Sequence, residues 1–306
     1  MKKTIKYFVP FIISSILIFI AQHNDLWMMF WSFFRIPAQT IPFGDLDFIL
    51  KATNVKLAGF NPYLENPMDI RYVYPSIWLG FFELFNLNNL VNFRIFNFVV
   101  IYFYVYIFFD LSFRFNNNYL KFILIILFFS SANLLALERL NIEIIIFILI
   151  YLIAISKNYF LRIPIFILAI YCKIYPIFTI FIFLRSKKIF FIMIASSLLI
   201  LLQMKNEILF LMTFGNEVAL NIAYGIPTLV KAIWYYSMKF EYLINDNNYK
   251  HFKYLMIVFG SVYALTLISI NFKFSKKNVS KTFNLDEKLF ICGAGIFIGR
   301  FIFSSN

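Results

Sequence analysis

The chain has 306 residues, of which 62% are hydrophobic, 22% aromatic and only 14% charged, the composition of an all-α integral membrane protein with many helices. The formal charge of +13 does not make a nucleic-acid binder, because the cations gather at the ends of apolar runs instead of interleaving with exposed aromatics on one face. Cys172 and Cys292 lie far apart in apolar runs and His23 and His251 are the only histidines, which excludes a disulfide framework and a histidine metal cluster.

Lys2, Lys3 and Lys6 precede an apolar run from Tyr7 to Ala21 with no small-x-small cleavage site, so it reads as a retained signal anchor with its amino end in the cytoplasm. Residues 22 to 73 hold Asp25, Asp45, Asp47, Glu65 and Asp69 against Arg35, Lys51, Lys56 and Arg71, and form an external first loop. Within it, Pro42 and Gly44 break the chain before Asp45. Leu46, Ile49, Leu50 and Leu57 then fall at helical spacing up to Gly59, which predicts an amphipathic helix on the membrane surface.

Further apolar segments cover approximately residues 74–87, 91–109, 119–137, 142–156, 161–184, 189–202, 252–271 and 288–303. Several fall short of the ~20 residues of a full span, so about eight or nine transmembrane or re-entrant helices are expected, in one multispanning domain over residues 1–306. Residues 161–184 carry cations at both ends, Lys157 and Arg162, then Arg185, Lys187 and Lys188, and Lys173 to Pro176 interrupt the middle. That pattern predicts a hairpin that dips in and returns to the cytoplasmic side. Residues 203–250 read as a second external loop. Residues 74–87 form either a short span or an interfacial piece, and the choice sets the side of Glu138; the net acidity of Glu138 to Glu143 favours the external side.

Three groups can carry chemistry. Asp45 stands at a helix start, where it serves as an N-cap, as a general base facing a membrane-proximal cavity, or as both. Asp47 completes a D-x-D pair that could hold a divalent cation in extended chain, whereas on a helix the two carboxylates point roughly 200° apart. The helical reading therefore argues against a metal and leaves Asp47 as a solvated first-turn acid. In ALERLNIEI, Glu138, Arg139 and Glu143 flank apolar runs. Each charge facing lipid at mid-bilayer costs about 2.5 to 3.5 kcal/mol, so they face protein, water or headgroups, as a helical ion pair or as a polar floor for sugar hydroxyls or phosphate. Lys173, at a break inside an apolar segment, either snorkels or binds phosphate. Gly295 and Gly299 read as helix packing.

GDLDF (residues 44–48), GFNPY (59–63), RYVYPSIW (71–78), ERLNIE (138–143) and KIYP (173–176) occur in an order that resembles the GT-C superfamily of multispanning glycosyltransferases, and within it glycosyltransferase family 87. The first mannosyltransferase of glycosylphosphatidylinositol synthesis is similar too. ERLNIE stands in the place of an R-G-N-x-E element, with Leu140 where the family has glycine, and KIYP in that of a K-x-Y-P element. The resemblance covers about residues 40–180 and implies transfer of a hexosyl, mannosyl-like unit with inversion. The donor is a polyprenyl-phosphate sugar and the acceptor a lipid or glycan on the outer face of the plasma (inner) membrane. It implies Asp45 as base and Arg139 or Lys173 as the cation at the departing lipid phosphate, with Asp47, Arg71, Tyr74, Glu138, Asn141 and Glu143 lining the substrate site. No cofactor is implied, and any metal would sit on Asp45 and Asp47. The family has more helices than this chain supplies, which is the expectation for a chain truncated at its carboxyl end. The competing classes are a transporter or flippase of lipid-linked sugars and a non-catalytic subunit on the same fold.

Overall fold

A computed structural model of the protein describes residues 2–64, 72, 74–114, 118–184 and 186–207, together with Ser269, Lys288, Leu289, Cys292 and Gly293. These residues are helical, with no strand among them. Arg71, most of the second external loop and most of the two carboxyl-terminal apolar segments lie outside the described residues. The chain divides into two compact units, Met1–Leu149 and Ile150–Asn306.

The first unit holds α1 (Lys2–Ile20), α2 (Asn24–Phe33), α3 (Gly44–Leu57), α4 (Ile77–Leu84), α5 (Leu90–Arg114), α6 (Asn118–Phe128), α7 (Ser131–Arg139) and most of α8 (Ile142–Ile155). Its frame is the antiparallel pair α1 and α5. Tyr7 stacks on Tyr106 at 5.5 Å and Phe11 meets Phe98 at 5.5 Å, so residue numbers rise along one helix as they fall along the other. At the end where α1 begins and α5 finishes, the buried Asp110 carboxylate takes both Lys6 and Arg114. The α4 helix has 8 residues, about 12 Å, too short to cross a bilayer, so the chain between α1 and α5 returns to the end it left.

The predicted segment 119–137 is broken in two. After Phe128 the chain turns by 50°, and the Ser130 hydroxyl caps α7 by accepting from Asn133 N–H at 3.4 Å. Phe108 meets Phe128 and the Tyr104 hydroxyl donates to Asn133, so α6 and α7 climb back along α5 toward the end opposite Asp110. By length and composition one helix, Leu90–Arg114, suffices to cross a membrane, or two spans if the bent pair counts as one. The other apolar helices among the described residues are shorter.

The apolar stripe of α3 differs from the surface helix predicted. Leu46 and Ile49 are wholly buried against protein, and α3 packs on α4 and α7, while Leu57 lies outside the stripe and is exposed. Its hydrophobic residues are taken up by neighbouring helices, which present enough apolar surface to cover them.

In the second unit, α9 (Tyr159–Cys172) starts from an Asn158 cap that accepts from Phe160 N–H at 2.9 Å and ends at Lys173, which is extended. A 3₁₀ helix, Tyr175–Phe183, follows, and then α10 (Lys187–Gln203). Phe183 lies 5.5 Å from Phe166 and 6.5 Å from Tyr159, so the 3₁₀ helix folds back along α9. The chain therefore folds back on itself, with Lys173 at the turn.

Candidate active site

The site grows out of two irregular corners in the first unit. The chain from Gln39 to Phe43 is pinned to the end of α7: Gln39 N–H donates to Glu138 Oε1 at 2.7 Å and Phe43 N–H to the Glu138 carbonyl at 3.2 Å. Phe43 is in the left-handed region, φ 60°, and its carbonyl accepts from Leu46 and Asp47 N–H, which starts α3. A Cβ on Gly44 would overlap Gln39 Oε1, so glycine there lets the Gln39 side chain lie on the helix start. The helix thus begins two residues earlier than an Asp45 cap requires. Phe43 holds the N-cap position, and Asp45 stands in the first turn.

Asn141 holds the Asp45 side chain. Its Nδ2 donates to Asp45 Oδ2 at 2.5 Å, across 96 residues of sequence, while its Oδ1 accepts from Glu143 N–H at 2.9 Å and so caps α8. One amide fixes the start of a helix and orients the Asp45 carboxylate. Leu140, just before it, ends α7 in the left-handed region, φ 47°, and is wholly buried. A glycine would adopt that backbone without cost, whereas an L residue there gives up about 1–2 kcal/mol. Here the buried leucine side chain offsets it. The turn therefore forms with leucine at this position.

Tyr74 is half-buried beside this pair. Its burial, reinforced by the Asp45 and Glu143 carboxylates and opposed by Arg139, pushes its phenol well above the usual range, so it remains a neutral donor. Its carbonyl accepts from the Tyr63 hydroxyl at 3.0 Å, and Tyr63 packs on Tyr72 at 5.2 Å, which joins GFNPY to the described part of RYVYPSIW.

Glu138 and Arg139 complete the cluster. Glu138 is 0% exposed; its Oε2 lies 3.8 Å from Arg139 Nε, too far for a hydrogen bond. Glu138 Oε2, Arg139 Nε and the indole nitrogens of Trp27 and Trp31 are buried without a hydrogen-bond partner among the described residues. Trp27 stands close to the Glu138 carboxylate and 5.1 Å from the Phe43 ring, with Trp31 5.4 Å beyond it. Buried polar atoms left this way suit water or ligand hydroxyls.

Five of the residues picked out by sequence, Asp45, Tyr74, Glu138, Arg139 and Asn141, therefore share one neighbourhood, with Glu143 coupled to it through Tyr74 and the Asn141 cap. Asp47 does not join them. It lies on the helix two residues from Asp45 and pairs with Lys51 at 2.7 Å. Lys173 belongs to the second unit, where its ammonium sits 5.9 Å from the Tyr175 ring. Trp27, Trp31 and Gln39 were missed. The i, i+4 spacing of the two tryptophans puts them on one helix face and was the available signal. No protein-family model, no curated protein and no solved structure matches the chain.

Proposed function

We propose that the protein is a multispanning glycosyltransferase of the plasma (inner) membrane that moves a hexosyl, mannosyl-like unit from a polyprenyl-phosphate sugar to a lipid or glycan acceptor. The observation that carries this reading is the Asp45–Asn141 hydrogen bond, which joins the acid of GDLDF to the asparagine of ERLNIE. Asp45 accepts the proton of the acceptor hydroxyl as that oxygen attacks the anomeric carbon from the face opposite the phosphate. The bond between the anomeric carbon and the phosphate oxygen breaks, the configuration inverts, and the polyprenyl phosphate leaves with its negative charge facing Arg139. Asn141 holds Asp45 in place. Glu138 Oε2 and the indole N–H groups offer unpaired polar atoms to sugar hydroxyls. Lys173, in a separate unit, is a second candidate for the lipid phosphate.

The membrane arrangement is supported by charge. Lys6 and Arg114 gather at one end of the α1–α5 pair, the end the charge rule gives to the cytoplasm, and the carboxylate cluster lies at the other. This supports an external site for Asp45 and Glu138 together, with the amino end cytoplasmic.

The test is transfer from a radiolabelled polyprenyl-phosphate mannose in membrane vesicles containing the full chain. Incorporation of label into lipid or glycan that disappears in Asp45→Asn, at equal amounts of folded protein, is the expected result. Incorporation unchanged by that substitution overturns the assignment and turns attention to a transporter or a non-catalytic subunit.

A further inference from the structure

The Tyr74 ring is held on several sides, and its hydroxyl is not. The ring stands edge-on to Phe48 at 6.3 Å and to Tyr72 at 5.9 Å, and the Tyr63 hydroxyl donates to the Tyr74 carbonyl at 3.0 Å. Tyr72 backs this arrangement: it is wholly buried, its hydroxyl donates to the Pro75 carbonyl at 3.2 Å, and its ring lies 6.1 Å from Phe48 and 5.2 Å from Tyr63. The Tyr74 hydroxyl, by contrast, makes no hydrogen bond among the described residues. A tyrosine buried this far usually places its O–H on a partner, so a fixed ring with an uncommitted hydroxyl leaves a donor for a ligand.

Its place selects the ligand atom. Phe48 follows Asp45 by three residues on α3 and shares its side of the helix, so the Tyr74 ring that meets Phe48 is brought to the Asp45 side as well. The Asp45 and Glu143 carboxylates both act on the hydroxyl, and Arg139 opposes them with one positive charge against two negative. A phosphate oxygen is repelled beside two carboxylates, whereas a neutral hydroxyl is not. The substrate atom suited to this place is therefore the acceptor oxygen rather than the leaving one.

We infer that Tyr74 is a further catalytic residue of the transfer reaction proposed above, on which this inference rests: its O–H donates to the acceptor oxygen while that oxygen's own hydrogen points at Asp45. A hydroxyl oxygen has one hydrogen and two lone pairs. With the hydrogen on Asp45 and one lone pair on Tyr74, the other lone pair is left for the anomeric carbon. As the new carbon–oxygen bond forms, the acceptor proton passes to Asp45 and the bond from the anomeric carbon to the phosphate oxygen breaks. Tyr74 keeps its own proton throughout.

The test measures transfer from radiolabelled polyprenyl-phosphate mannose into the lipid and glycan of vesicles that contain the full chain, over a range of donor concentrations and at equal amounts of folded protein. Tyr74→Phe keeps the ring and removes the donor. It should lower kcat by about ten- to a hundred-fold and leave the KM for the labelled donor unchanged, because the lost contact is to the acceptor. 4-Aminophenylalanine placed at position 74 through a reassigned codon returns an N–H donor to the same ring and should recover much of kcat, which a role in packing alone does not predict. Tyr104→Phe removes a hydroxyl bonded to Asn133 at 3.1 Å in the helix frame and should transfer as the wild type does. Transfer in Tyr74→Phe within about two-fold of the wild type, a raised donor KM, or no recovery with 4-aminophenylalanine overturns the role of Tyr74 and leaves Asp45 as the base. Absence of label incorporation by the wild type overturns the transfer reading itself, and this inference with it.

Discussion

Two buried carboxylates mark the opposite ends of the first unit, and they are treated differently. Asp110, 2% exposed, is met by Lys6 and Arg114, and both cations bond it directly. Glu138, 0% exposed, has one oxygen on Gln39 N–H and the other 3.8 Å from the nearest guanidinium nitrogen. A carboxylate closed off by two cations is a fastening between helices. One whose second oxygen, like Arg139 Nε and the indole nitrogens of Trp27 and Trp31, has no hydrogen-bond partner among the described residues has capacity for a ligand. The contrast separates a fastened end from an end that keeps unsatisfied polar atoms, which is the end the proposed chemistry would use.

The largest effect expected at the chemical end is kinetic. Asp45→Asn should lower sugar transfer by about 10²- to 10⁴-fold, the usual worth of a general base, with the amount of folded protein unchanged. Next comes the fastening. Lys6→Met with Arg114→Met removes both of these cations from the buried Asp110 and should destabilise by about 3–5 kcal/mol, read as a fall in Tm and folded yield. Transfer per folded molecule should not change; if it does, the two ends are coupled and the contrast fails.

Asn141 tests the join between helix and acid. Asn141→Ala removes the α8 cap, worth about 1 kcal/mol, together with the donor to Asp45. Asn141→Ser keeps an acceptor for the cap but is too short to reach Asp45, so it should restore much of the stability and little of the transfer. Recovery of full transfer in Asn141→Ser would show that the bond to Asp45 is incidental. Glu138→Gln should change stability by less than about 1 kcal/mol, in the stabilising direction, because a buried charge with one idle oxygen is removed. A loss of several kcal/mol instead would make Glu138 a second fastening. The smallest effect belongs to Asp47→Ala, which breaks only an i,i+4 pair with Lys51, worth about 0.3–0.5 kcal/mol. It should leave transfer near normal, and transfer should survive EDTA. Activity lost to chelator and restored by Mn²⁺ would instead require both aspartates on one ion.

Local features were legible in the sequence. Pro42 and Gly44 announced the start of α3 to within a residue, and the Lys173–Pro176 break announced the hairpin. Two corners were not legible, because Phe43 and Leu140 take left-handed backbone that neither side chain advertises. Nor did periodicity indicate that residue 141 would meet residue 45, since that contact depends on how α6 and α7 fold back along α5. The break after Phe128 was hidden for a related reason: hydropathy over 119–137 is continuous, and only the Ser130 cap marks the bend. Asp110 was passed over inside a long apolar helix, although an acid there calls for a partner.

The 3₁₀ helix between Tyr175 and Phe183 has a mechanical consequence. Its nine residues rise by about 2.0 Å each, against 1.5 Å in an α-helix, so rewinding them would shorten the segment by about 4–5 Å. Phe183 is fully buried against Phe166 and Tyr159, which anchors the far end. Tyr175 and Pro176 are buried at the other end as well, so both ends are held. The looser winding thus acts as a spacer, setting Lys173 a few ångströms farther from Phe183 than an α-helix of the same nine residues would.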